Sequence, residues 1–138
     1  MAYWLMKSEP DAWSWDQQVK KGAKGEPWTG VRNHSAKLNL MKMKKGDRGF
    51  FYHSNIGKEV VGIVEIIREH YHDPTAEEST PWVVVDVKAV QPMPEPVTLA
   101  AVKAEPKLKE MALLKLSRLS VQPVTEAEWK IVCKMGGL

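Results

Sequence analysis

Cysteine is almost absent from this chain: Cys133 is the only one in 138 residues. An internal disulfide is excluded, and so is a metal cluster built on several thiolates. A lone thiol fits a reducing compartment, and the expected location is cytoplasmic. Charge of one sign is also scarce. The 20 Lys and Arg stand against 17 Asp and Glu, a net charge of +3, which permits contact with phosphate without demanding it. No apolar run approaches the roughly 20 residues of a membrane span, so no membrane partner is expected. Met1-Ala2 leads into Tyr3-Trp4-Leu5-Met6 with no basic leader and no cleavage site, which argues against a signal peptide. Repeats and low-complexity linkers are missing, and residues 1–138 read as a single domain. Missing too are a Walker loop, a dinucleotide fingerprint, a nucleophile elbow and the HExxH pattern. With no nucleophile–base pair at a recognisable spacing, no catalytic residue is assigned and no cofactor is expected. His70, His72 and Asp73 lack a further ligand set, so no metal site is expected either.

What the chain does have is tryptophan, six in all. Such rings serve either a large core or a site that grips a flat ligand. Tyr3 to Lys7 reads as a strand, broken at Pro10. Ser14 and Gln17 have the spacing of a capping box, so a helix runs from there to about Lys21, with Gly22 as its stop. Gly22 to Gly30 reads as a loop. Ala36, Leu38, Leu40, Met41 and Met43 suit a helix over 33–43. Strands follow at Gly49–His53, Glu59–Arg68 and Trp82–Val90. In the second of these, Val60, Val64 and Ile66 are expected on one face and Val61, Ile63 and Ile67 on the other. Pro92, Pro94 and Pro96 are expected to end the third and to form a stiff link. Thr98 caps a short helix that Pro106 stops, Lys107–Leu116 is near-helical, and Ser120–Val124 is a last strand. Thr125 and Glu128 form a second capping box for a closing helix that ends at Gly136-Gly137. Strands in series with short turns predict an α+β, mostly antiparallel β-barrel, partly closed, with helices packed at its openings.

The chemistry concentrates in WTGVRNHSAKLNLMKMKKGDRGFFYHSN, Trp28 to Asn55. Trp28, in a loop flanked by Gly and Pro, either presents its ring to a ligand or plugs the core. Arg32, Asn33, Ser35 and Asn39 open the predicted helix; Asn33 or Ser35 serves as an N-cap, or the group holds an anion or a base edge. Alternation sends Tyr52 and Ser54 one way and Phe51 and His53 the other. His53 has no partner for general-base work, which favours a structural or ligand-donating role. Lys42, Lys44, Lys45 and Arg48 form a basic cluster, either a solvated face or a guide for a phosphate backbone.

YWLMKSEP, then that central stretch, then GIVEI and LSRLSVQPV, occur in an order and spacing that resembles an EVE domain. The resemblance covers nearly the whole chain. It implies a PUA-like fold, similar to that of YTH domains, in a family that also takes in the thymocyte nuclear proteins. It implies a non-catalytic module that holds a nucleobase, often a modified one, in an aromatic-lined pocket at the barrel mouth. The implied pocket has Lys7 and Ser8 at its rim and Trp28 as its stacking ring. Arg32, Asn33 and Ser35 lie over it, with Asn39 a turn further. Tyr52, His53 and Ser54 make another wall, and Arg118, Leu119 and Ser120 close it. The implied partner is DNA or RNA carrying a modified base, bound by a monomer. Where many members carry Arg or Asn-Leu-Arg after the helix start, this chain has Lys37 to Met41. Without the basic N-terminal extension of nuclear members, the chain resembles the stand-alone bacterial type. Two rival functions stay open: an enzyme acting on a nucleoside or nucleic-acid base, with His53 or Lys7 as acid–base, and a protein-interaction module.

Overall fold

The computed structural model describes residues 1–138. Its elements are β1 (Tyr3–Ser8), α1 (Trp15–Lys20), β2 (Glu26–Pro27), α2 (His34–Lys42), β3 (Arg48–His53), β4 (Glu59–His72) and β5 (Val83–Thr98), followed by α3 (Leu99–Ala104), α4 (Ala112–Lys115), β6 (Val121–Val124) and α5 (Glu126–Met135). The six strands form one mixed sheet in the order β2-β5-β4-β3-β1-β6. Every pairing is antiparallel except β1 with β3, which is parallel with Tyr3 opposite Arg48 and Ser8 opposite His53. The fold is α+β and mostly antiparallel, as expected, but β2 and β6 do not pair, so the sheet stays open at both edges where a partly closed barrel was expected.

Each face of the sheet carries its own core. Alternation along β1 and β3 sends Trp4, Met6 and Phe51 to one side and Leu5, Phe50 and Tyr52 to the other. Trp15 of α1 and Ala36 and Leu40 of α2 cover the first side. Val102 of α3, Leu113 of α4 and Trp129 of α5 cover the second. There Phe50, Trp129 and Tyr3 stack, with ring centroids 4.0 and 4.5 Å apart.

The helix ends follow local sequence. Ser14–Gln17 and Thr125–Glu128 close full capping boxes. Asn33 Oδ1 accepts from the Ala36 amide and the Thr98 hydroxyl from Ala101. The cap at Asn33 is its bland role, and it stabilises α2 by about 1 kcal/mol. Only Ala36 and Leu40 of α2 are fully buried, with Met43 at its end; Leu38 and Met41 are exposed.

Two expectations about strands change. In β4, Val60 and Ile63 join one core, whereas Val61, Val64 and Ile66 meet the other. The cause is a bulge: Phe51 pairs with Gly62 and Tyr52 with Val60, leaving Val61 as the extra residue that inverts the alternation. The prolines do not end β5, which continues to Thr98. Gly62 pairs with Pro92 but Val60 pairs with Val97, so the segment between them bulges away from the ladder and its missing N–H donors are not needed. Met93 and Val97 anchor it in the core, and the Glu95 amide donates to Gly136 O at 3.0 Å instead.

Candidate nucleic-acid interface

The carboxyl ends of β1 and β3 lie side by side, and three depressions surround them. The first has a volume of 400 Å³ and is lined by Lys7, Ser8, Glu9, Ala12, Trp13 and the segment from Glu26 to Gly30. A second of 410 Å³ is lined by Lys7, Glu9, Tyr52, Ser54, Asn55, Lys58, Leu99, Leu113, Ser117, Arg118 and Ser120. The third, of 400 Å³, contains Asn33, Ser35 and residues 115–119. The first two share Lys7 and Glu9, and the last two share Ser117 and Arg118. They adjoin through these shared residues, and together they make up the furrow. Its members are at the small end of ligand sites, which run from about 300 to 1,000 Å³.

The aromatic walls stand in the first depression. Trp28 is only 7% exposed. Its ring meets Phe51 edge-on, with centroids 5.4 Å apart at 84°, and its amide donates to Val85 O at 2.8 Å. It both plugs the core and lends the cavity a small part of its surface. Trp13 faces it. The Trp13 indole donates to Gln18 Oε1 at 2.9 Å, and fully buried Gln18 donates in turn to Val87 O at 3.1 Å. The Ser8 hydroxyl donates to Trp13 O at 2.6 Å. These bonds fix the second ring before any ligand arrives, and such preorganisation lowers the cost of binding.

The second depression is polar. Lys7 Nζ donates to Ser117 O at 2.6 Å and lies 6.0 Å from the Tyr52 ring centroid. Burial lowers the Lys7 pKa from its usual value. Burial, with a smaller push from Glu59, raises that of Tyr52. Asn55 Nδ2 donates to Glu9 Oε1 at 2.8 Å across the rim. Asn55 and Lys58 both have left-handed backbones, with φ of 63° and 48°. For a residue with a Cβ that conformation costs about 1–2 kcal/mol, and Asn tolerates it better than Lys.

Of the residues expected in the pocket, Lys7, Ser8 and Trp28 meet in the first depression; Lys7, Tyr52, Ser54, Arg118 and Ser120 meet in the second; Asn33, Ser35, Arg118 and Leu119 border the third. Arg32, Asn39 and His53 line none of the three, and each has a structural partner. Asn39 Nδ2 donates to Val121 O at 2.7 Å, tying α2 to β6. His53 Nε2 accepts the Trp15 amide at 3.1 Å, at the start of α1. Its acceptor nitrogen is occupied, and burial lowers its pKa against the opposing pull of Glu59 and Asp16. Arg32 Nη1 lies 2.9 Å from Asp73 Oδ2.

The basic cluster is displaced as well. Arg48 begins β3 at the end opposite His53, roughly 17 Å away at strand rise, and it pairs with Glu65 at 3.6 Å. The Lys44 amide is held by Asp47 and the Lys45 amide by Glu69. Lys42, Lys44, Lys45 and Arg48 border none of the three depressions; Lys58, Lys115 and Arg118 are the exposed cations that do. Sequence reading missed Trp13, Glu9, Asn55 and Lys58. Glu9 follows Ser8 directly, and Asn55 and Lys58 occupy the turn after β3, so adjacency was the available signal. His70, His72 and Asp73 do not form a metal cluster. No helix is long and apolar enough to cross a membrane.

The sequence model of the EVE domain family matches residues 2–135. Human thymocyte nuclear protein 1 is 33% identical, over 97% of this chain and 73% of its own length. A crystal structure of an Agrobacterium tumefaciens protein is 57% identical and superposes with a TM-score of 0.98, covering 100% of this chain and 94% of that one. The human protein in complex with 5-methylcytosine-containing DNA is 31% identical with a TM-score of 0.91, covering 100% of this chain and 99% of that one. The YTH domain of a Zygosaccharomyces rouxii protein, in complex with N6-methyladenosine RNA, has a TM-score of 0.60 at 16% identity over 99% of this chain and 87% of that one. That last likeness is one of fold.

Proposed function

Because this chain belongs to the EVE domain family, we propose that it is a nucleic-acid-binding module that holds one nucleobase, a modified one, between Trp13 and Trp28. The observation that carries the reading is the first depression, lined by Trp28 and by a Trp13 ring fixed by hydrogen bonds, and adjoining a polar one that contains Lys58 and Arg118. A relative bound to 5-methylcytosine-containing DNA supports the same class of ligand.

The energetics suit a reader. A base leaving its stack forfeits a few kcal/mol, and stacking on an aromatic side chain returns about 1–3 kcal/mol. Ser8, Glu9, Glu26 and Thr29 supply polar groups for the base edge. A buried methyl group contributes about 0.8 kcal/mol, roughly a fourfold preference for a methylated base. Binding and release, without chemistry, is the favoured mode: the His53 acceptor nitrogen is engaged by α1 and Lys7 by Ser117.

The test is a fluorescence-anisotropy titration of short DNA and RNA strands carrying one 5-methylcytosine, one N6-methyladenosine or neither. Tighter binding of one methylated strand, weakened by Trp13→Ala, is expected. Equal and negligible binding of every strand would remove the reading, and turnover of a nucleoside abolished by His53→Ala would replace it with an enzymatic one.

A further inference from the structure

Asp73 is a charged side chain with no exposure at all, and the cavities do not touch it. It sits in the turn between β4 and β5, far in sequence from the furrow. Each of its oxygens is doubly engaged. Oδ1 accepts the Thr75 amide at 2.7 Å and the Thr75 hydroxyl at 2.6 Å. Oδ2 accepts the Gly30 amide at 3.1 Å and Arg32 Nη1 at 2.9 Å. Burial alone would raise its pKa, but these bonds hold it at about 2.

The Oδ2 partners belong to the irregular segment between β2 and α2. Its first residue is tied by the Trp28 amide to Val85 O, and its last, Asn33, caps α2. Between those anchors lie Thr29 and Gly30, which form the rim of the first depression. Gly30 has a φ of +84°, a left-handed turn that Gly adopts without steric cost. Arg32 adds its own clasp: Nη1 also donates to Val31 O at 3.0 Å, Nη2 reaches the Thr75 hydroxyl at 3.4 Å, and the guanidinium lies 5.9 Å from the Trp82 ring centroid.

We propose that Asp73 and Arg32 are positioning residues, a latch that fixes the Trp28–Gly30 wall in its binding shape, and that Arg32 acts through Asp73 and not on a phosphate. The inference rests on the nucleobase-binding reading. With the latch intact, Thr29 and Gly30 are ordered before the ligand arrives. With it broken, they must be ordered on binding, which costs about 5- to 30-fold in affinity for each residue so fixed.

The experiment uses Asp73→Asn, Arg32→Gln and Thr75→Val in the full chain, with a single-stranded probe carrying one 5-methylcytosine, titrated at several KCl concentrations. Asp73→Asn and Arg32→Gln are expected to weaken binding about 25-fold or more, about 5-fold or more for each of Thr29 and Gly30, with one probe bound per protein at saturation, and Thr75→Val less. All three keep the wild-type slope of log K against log salt. A direct phosphate contact by Arg32 would instead lower that slope by about 0.7 in Arg32→Gln, and this overturns the latch. Undiminished binding by Asp73→Asn overturns it too, and a loss explained by fewer binding-competent molecules marks the residue as merely structural. In the free protein, the Gly30 amide and Trp28 indole NMR signals are expected to shift and broaden in Asp73→Asn. Unchanged signals refute the latch whether or not the wild type binds the probe, whereas shifted signals with no binding by the wild type refute only the function.

Discussion

Replacing Gly62 by Ala adds a single methyl group and tests how the first core supports the furrow. Gly62 lies in β4 beside the bulge, under the Trp15 ring. A Cβ there would stand 2.5 Å from Trp15 Cζ2 and Cζ3, so the indole must retreat by about 1 Å to reach ordinary contact. Trp15 is 8% exposed and packs edge-on against Phe51 at 5.5 Å. Its amide donates to His53, so moving it loosens the start of α1, just after Trp13. Overpacking of this kind costs about 1–3 kcal/mol. At about 4 °C per kcal/mol for a domain of this size, Tm should fall by roughly 4–12 °C. Gly49→Ala is the control. Its Cβ would meet its nearest neighbours at 3.5 and 3.6 Å, which is ordinary contact. Reduced chain entropy in the unfolded state then makes it neutral or stabilising by up to about 1 kcal/mol. Thermal unfolding of the two variants side by side measures the difference. Equal Tm values would refute the packing of Trp15 over Gly62.

Three further outcomes are expected. The native state keeps His53 neutral as acceptor for the Trp15 amide and its pKa is lowered, so the unfolded chain binds more protons; stability is full above about pH 6.5 and falls as pH drops from there through the native value. Urea unfolding between pH 8 and 5 should show this fall in the wild type and a flatter profile in His53→Gln, and identical profiles would contradict it. Trp28→Ala should cost about 3–5 kcal/mol of stability because its ring belongs to the core, whereas Trp13→Ala should weaken oligonucleotide binding by about 1–3 kcal/mol with a smaller loss of stability; calorimetry and titration separate the two, and the reverse pattern counts against the assignment. Replacing Lys42, Lys44 and Lys45 together by Ala should leave the salt slope of binding unchanged, whereas three phosphate contacts would make it shallower by about 2.

The parts of this fold written locally were legible. Ser14–Gln17, Asn33, Thr98 and Thr125–Glu128 cap helices because a side-chain oxygen within three residues meets an orphan amide, and that spacing is visible in the chain. The alternation of Phe51 and Tyr52 held because β3 is short and regular. What failed depends on distant partners. Val61 becomes a bulge only because β3 and β5 set the register. Pro92 to Pro96 stay in strand only because the segment bulges from the ladder and the carboxyl-terminal Gly136 accepts Glu95. The parallel pairing of β1 with β3 sets the lysines at the end opposite Lys7, and the sheet stays open because its edge strands β2 and β6 do not meet. The ion pair that draws Arg32 away from the pocket was invisible because Asp73 lies 41 residues away. Trp13 went unnoticed because its value as a wall comes from Gln18, which is anchored on β5.

The claim at the centre is a place: the base sits between Trp13 and Trp28, at the carboxyl end of β1. The measurement that tests it most directly is an NMR titration of ¹⁵N-labelled protein with a strand carrying one 5-methylcytosine or one N6-methyladenosine. The account predicts that the two indole signals of Trp13 and Trp28 and the amides of Lys7, Ser8, Thr29 and Gly30 move together, while Lys42 to Arg48 stay fixed. Shifts confined to the Lys42–Arg48 end, with both indoles unmoved at saturation, would contradict it.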